Sequence, residues 1–481
     1  SMKIINVLAL LLVLSICLCA AGCTKQTLIE SYYSDTPVEM EIESTDNNSN
    51  DNSSDNKTSS AASGGASAAT STPISSEGKK AQGVYPDLSG KTVVRLLWEK
   101  VSTADKAIYD NFTKITGAQV KTTVTTYKNY FTKLSAMVAA GTRVDSAYMH
   151  QEHFPLMITK GLLMPVTKYV DKNDELLDFE FMNKFKWDGE YYGIQLKGTN
   201  QNHMVVFFNE DMFAEKGVKT PLQYYNEGNW NWNTFLELCK KMVEKDNKGD
   251  IKVYGCCVND VMSFSCSTGK NIIDYDGKQL VNNILDPDII YAWKFIRDIA
   301  WGDNGYAIKD VGVLTDYLTN GKSAMAINGA FAVNRATTAD SNSQLYKMKD
   351  KWDWVPFPTY VDQSGAVHEH YQPTCFCQWN VPKTAKEPEA GYWLNRFYLD
   401  PYKYEGSSFS ESTIRTDADK KRLEKMYAMK SSADFIGGVT GAQESYDLIW
   451  GLQNKAAGDV DSVANSWKSR LDNAIKSCLK G

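Results

Sequence analysis

The residues in this chain that could do chemistry are few and scattered. Of its five histidines, His368 and His370 stand at i and i+2, on one side of any strand, where neutral imidazoles can chelate a metal. No third ligand accompanies them, so an exposed polar loop is expected. Asp246, Asn247 and Asp250 offer oxygens to calcium but lack the downstream bidentate glutamate of an EF-hand loop. A solvated hairpin turn is the expectation there. Cys256-Cys257 and Cys375-Phe376-Cys377 do not have the CxxC spacing of a zinc site. With Cys239, Cys266 and Cys478 they read as small buried apolar residues. The sequence has no GxSxG, HExxH or phosphate-loop motif, and its 58 Asp and Glu are too many for counting to single out a glycosidase pair. No catalytic residue, metal or cofactor is implied. Binding chemistry is better supplied. Twelve Trp, 26 Tyr and 18 Phe provide flat faces that suit weakly polar sugar rings, although large cores consume the same residues.

The net charge of −6 argues against a nucleic-acid partner, which would favour a basic face. At 481 residues the chain has room for two or three domains. Residues 1–22 read as a targeting signal: Lys3, an apolar run from Ile4 to Cys19, then Ala20-Ala21-Gly22 directly before Cys23. That order resembles a bacterial lipoprotein signal, with Cys23 as the lipidated residue. A plain secretory signal and a membrane anchor are the alternatives, although the run is short for a span. Residues 23–83 are a Ser/Asn/Asp-rich tether that buries too little apolar surface to offset ordering entropy. About 60 such residues reach roughly 40–45 Å as a coil, which suits passage through a Gram-positive cell wall.

From Tyr85 onward, strands alternate with helices. TVVRLLW (92–98) and AQVKTTVT (118–125) read as strands. ADKAIYDNFTKIT between them reads as a helix, capped by Ser102 or Thr103 and stopped by Gly117. This pattern argues α/β with largely parallel sheets, whose ligands sit beyond the carboxyl ends of the strands. Trp98, Glu99, Lys100, Tyr127, Tyr130 and the run Tyr148 to His153 should therefore line one rim. Farther along, FFNEDMFAEKGVKTP and NWNTFLELCKKM give a strand end, a short helix stopped by Gly217, and a helix capped by Asn231 or Asn233. Leu236, Cys239, Met242 and Val243 recur in it at helical spacing. Trp230 and Trp232, beside its start, are expected to pack.

Read in order, these stretches resemble the bacterial extracellular solute-binding proteins of sugar ABC importers, the maltose-binding-protein-like family. KLSAMVAAGTRVDSAYM, KGLLMPV, YYGIQLKG, GKSAMAINGAFAVNRA, WDWVPFPTY and YQPTCFCQWNV carry the resemblance, over residues 85 to 481. Val144 stands where the family commonly has Pro. The resemblance implies a two-lobed α/β fold, each lobe a mostly parallel sheet flanked by helices, joined by crossing hinge strands. Lobe one would be 84–204 and lobe two 205–376, with 377–481 a helical part returning to lobe one and packing on both. It implies an aromatic, an acid and a base at Met149, Glu152 and His153, a departure that points away from maltose itself. It also implies ligand contacts from Asn259 and Phe264, from Asn328 and Phe331, and from a late Trp450. Topology and resemblance together add Trp98, Glu99, Tyr148, Asn200 and Tyr371.

The expected function is capture of a carbohydrate, an oligosaccharide, for delivery to ABC permease subunits. The protein would be a monomer held to the membrane by its N-terminal lipid, and not an enzyme. A cell-surface glycan hydrolase, an adhesin, and a receptor for a peptide or another small solute are the alternatives.

Overall fold

The computed structural model describes residues 85–197, 202–258, 261–300, 305–309, 316–330, 345, 348–375, 377–400 and 416–480. The first strand, Thr92–Leu97, pairs in parallel with Gln119–Val124, from Thr92 opposite Gln119 to Leu97 opposite Val124. The helix between them, Thr103–Thr116, begins at a reciprocal cap: Ser102 Oγ accepts the Asp105 N–H, and the Asp105 carboxylate accepts the Ser102 N–H. It ends at Gly117, whose φ of 80° is a conformation glycine adopts without a Cβ penalty. A parallel bridge from Arg95 to Ser146 brings the strand Ala147–His150 alongside.

A second, mixed sheet is built around the long strand Asn202–Asn209. One edge of this strand pairs antiparallel with Ser323–Gly329. The other pairs with Trp352–Pro356 and then with Thr374 and Cys375. Its parallel part is Ala307–Lys309, Ile251–Val258 and Ser323–Gly329. Val205 to Phe208 are fully buried, as their unbroken apolar run requires in a strand covered on both faces.

The run 371–380 joins the two sheets. Tyr371–Cys375 belongs to the second, while Cys377–Asn380 pairs antiparallel with Ala147–His150 and Gly193–Ile194. Helix Pro388–Leu399 then covers the first sheet. Its Arg396 ties Asp174, Asp400 and the Tyr85 hydroxyl into one buried network. The last helices, Ala442–Gln453 and Val460–Lys480, are held through Arg297, whose guanidinium donates to the carbonyls of Gly451, Leu452 and Gly458. A cation at carbonyls left free by a helix end is favourable. Among the described residues no helix is long and apolar enough to cross a membrane.

Candidate functional site

Strand parity builds the candidate site. Cross-strand partners in an antiparallel pair share a face, and neighbours along a strand alternate. Tyr148 lies opposite Trp379 and His150 opposite Cys377, so these four side chains share one face of the first sheet. Trp98, just past the end of its strand, completes that face. Its ring centroid lies 4.5 Å from Tyr148, 6.0 Å from Trp379 and 6.2 Å from Tyr127. Beneath Trp379 the Arg95 guanidinium sits 3.6 Å from the ring centroid, and Asn395 accepts from it. The Trp379 ring is therefore held on both sides.

Beyond the strand, one turn of 3₁₀ helix, Gln151–His153, presents the polar groups. The His150 Nδ1 accepts the Glu152 N–H at 3.3 Å, which caps the turn and leaves Nε2 as the protonated nitrogen in the neutral ring. His153 stacks on Phe131 at 4.8 Å with the rings 8° from parallel. His150, Glu152 and His153 keep part of their surface in contact with solvent. The protein crowding around them pushes both imidazoles down to about 4 and the Glu152 carboxyl up. At neutral pH the two imidazoles are therefore uncharged. The wall combines aromatic faces with groups that can both donate and accept hydrogen bonds.

The structure brings Trp98, Tyr148, Glu152 and His153 together, with exposed Glu99 beside Trp98. It does not bring Met149 to them. The same parity that turns Tyr148 and His150 to the site turns Met149 into the core, 2% exposed. Phe264, expected at the cleft, is 1% exposed and packs among Trp232, Phe235, Phe295 and Phe357. Asn328 is buried at the end of its strand, where its Oδ1 accepts the Gly329 N–H and its Nδ2 has no partner. Tyr371 is half-buried against Gly269, where an added Cβ would stand 2.5 Å from the ring. Trp450 is exposed on helix Ala442–Gln453. Cys23, Asn200, Asn259 and Phe331 lie outside the described residues. Cys377 and Trp379, on the same sheet face as Tyr148, are 1% and 2% exposed and back the wall from the core. Half-buried Phe131, under the His153 ring, is a wall residue that the sequence does not single out.

The other candidates of the sequence are occupied locally. His368 Nε2 and Asp362 pair at 2.7 Å, and His370 contacts Thr359 and Gln372. Asp246 Oδ1 accepts the N–H groups of Lys248 and Asp250, which closes the turn on itself. A groove of about 430 Å³ opens between Leu156–Lys160, Val439–Thr440 and the last helix, and its lining carries no aromatic ring.

The sequence model of the bacterial extracellular solute-binding protein family matches residues 107–406. Among curated proteins no sequence match was found. Among solved structures, the chain is similar to the ABC substrate-binding protein Lmo0181 from Listeria monocytogenes in complex with cycloalternan. The two are 17% identical with a TM-score of 0.61, and the match covers 80% of this chain and 99% of that one. The maltose/maltodextrin-binding domain MalE from Bdellovibrio bacteriovorus, bound to maltotriose, is 15% identical with a TM-score of 0.56, covering 80% and 100%. UgpB from Mycobacterium tuberculosis, in complex with glycerophosphocholine, is 14% identical with a TM-score of 0.58, covering 81% and 100%. At these identities the likeness is one of fold, the two-lobed α/β architecture.

Proposed function

The chain belongs to the bacterial extracellular solute-binding proteins, and on that premise we propose that it captures a carbohydrate, an oligosaccharide, for an ABC permease and does no chemistry on it. The observation that carries this reading is the wall of Trp98, Tyr127 and Tyr148 edged by the uncharged imidazoles of His150 and His153. Ring faces match the C–H faces of a sugar, and neutral imidazoles exchange hydrogen bonds with its hydroxyls. Glu99 and Glu152 supply acceptors at the rim. The opposing wall comes from the second sheet, where Asn328, Tyr371 and the stretches around Asn259 and Phe331 are its candidates, with Asn200 at the crossing and Trp450 as an outlying one.

In this reading lobe one is 84–204, lobe two 205–376, and 377–481 returns to lobe one. The crossing runs 202–209 and 371–380 form the hinge about which the lobes close. The protein acts as a monomer on the outer face of the membrane, held by lipid on Cys23 and a tether of residues 23–83, as in a Gram-positive lipoprotein.

Calorimetric titration of the chain from Gly83 onward against oligosaccharides of varied linkage and length tests the reading. A one-to-one complex with the sugar recovered intact is expected. No heat from any glycan would remove the carbohydrate assignment. Heat from glycerophosphodiesters or peptides alone would redirect it, and cleavage of the sugar would replace it with a hydrolase.

A further inference from the structure

Helix Ile436–Thr440, in the C-terminal part of the chain, meets the turn at the edge of the candidate wall, and one buried carboxylate bonds the start of that helix. Helix Ile436–Thr440 lies directly on the 3₁₀ turn. A Cβ added to Gly437 would stand 3.2 Å from the Glu152 Cβ, and one added to Gly438 would stand 1.8 Å from the Phe154 carbonyl oxygen. Glycine is needed at 438 because backbone packs against backbone there, and Gly437 keeps the helix close to Glu152. Phe435, one residue before the helix, places its ring 5.4 Å from Phe154 and 5.7 Å from Phe185.

Asp434 fixes this helix. It is 4% exposed, and its oxygens accept three backbone N–H groups, one from its own helix start and two from a segment about 160 residues away. Oδ1 takes those of Ile436 at 2.9 Å and Ile273 at 3.2 Å, and Oδ2 takes that of Ile272 at 2.5 Å. Ile272 and Ile273 open the hairpin Ile273–Tyr275/Leu280–Asn282. The Phe435 N–H returns a bond to the Ile273 carbonyl, and Ser432 bonds Asn271. We propose that Asp434 is a positioning residue for the wall, a clasp that makes the hairpin entrance, helix Ile436–Thr440 and the turn bearing Glu152 and His153 move as one body. Loosening the clasp would let the hydrogen-bonding edge of the wall drift relative to Trp98 without touching any wall residue. The role of the wall in sugar capture rests on the reading above, while the clasp itself rests on contacts alone.

The ionisable groups nearby are Asp274 from the hairpin and, on the turn beneath, His150, Glu152 and His153. Lys270 is paired with Asp286 and Asp288. Burial, with the Asp274 charge adding to it, raises the Asp434 carboxyl to about 7. A carboxyl raised in the folded state favours folding at low pH, and this contribution is lost as pH rises from about 4 through about 7.

Amide hydrogen exchange on the full chain tests the clasp without any sugar. In Asp434→Ala, exchange is expected to quicken at Ile272, Ile273 and Ile436 and, together with them, across residues 151–154, by about tenfold or more. The helix Trp232–Met242 should exchange as in the parent. Quickened exchange at 272, 273 and 436 with 151–154 unchanged would overturn the proposal. Asp434→Asn answers the case in which the alanine variant does not fold. It keeps one acceptor oxygen, so 151–154 should show intermediate protection, and the fall in stability between pH 5 and 7 should be shallower than in the parent. An asparagine variant with parental protection at 151–154 and a parental pH slope would equally sink the idea.

Discussion

Two aromatic clusters in this molecule set the same residue types in different surroundings. One is the wall of Trp98, Tyr127, Tyr130, Tyr148 and Trp379. The other packs Trp232, Phe264, Phe295, Phe357 and Tyr360, with ring centroids as close as 4.5 Å between Trp232 and Phe295. In the second cluster Trp232 is fully buried, and its indole N–H is used up on the Ser267 hydroxyl. It is dry and internally satisfied, as a core should be. In the first cluster Tyr130, Tyr148 and Trp379 are buried as well, but Trp98 and Tyr127 are half-buried, and the turn beside them has imidazoles and a carboxyl that still meet solvent. An aromatic count cannot tell the two apart. What separates them is whether hydrogen-bonding groups beside the rings are in contact with solvent.

That contrast can be broken by substitution. The largest expected effect is on the dry cluster. Trp232→Ala should cost about 3–5 kcal/mol of stability, read from denaturant unfolding, and leave the sugar affinity of the folded fraction unchanged. A pure loss of affinity with parental stability would mean that this cluster also meets ligand. Trp98→Ala should do the reverse. Affinity for the sugar found by titration should fall about tenfold or more, or about 1.4 kcal/mol or more, with a smaller stability loss than Trp232→Ala because Trp98 is already partly solvated.

pH sharpens the comparison further. His150 and His153 are held down to about 4, so between about 6.5 and 4 only the unfolded chain takes up their protons. Each therefore withdraws stability as pH falls through that window. His150→Gln should flatten this limb of the stability profile, and a profile identical to the parent would show an ordinary imidazole. The smallest effect belongs to Met149→Leu. A volume-conserving core change should cost under about 1.5 kcal/mol and leave affinity alone. A clear change in affinity would return Met149 to the site.

Local signals were legible in the sequence. Ser102 with Asp105 and Gly117 bound the first helix, and Gly217 stops the short helix after the crossing strand. Asn231 is the cap of helix Trp232–Met242. The buried side of that helix was less so: Phe235, Leu238, Cys239 and Met242 face the core, while Leu236 is half-exposed and Val243 lies past the helix end. The error is one of phase, because Phe235 and Leu236 are equally apolar and only the sheet beneath selects between them.

The sequence alone determined the order of strands and helices, the family pattern they follow, and that Trp98, Tyr148, Glu152 and His153 fall near strand ends. These depend on neighbours in the chain, through caps, periodicity and glycine. Tertiary structure decided which side chains meet. Whether Met149 or Tyr148 faces the site depends on strand parity against Cys377–Asn380, about 230 residues away along the chain. The burial of Phe264 depends on Trp232 and Phe357, and the turn bearing Glu152 packs against Gly437 and Gly438. Such contacts leave no mark on the local pattern, because each residue type satisfies its own segment equally well in either role.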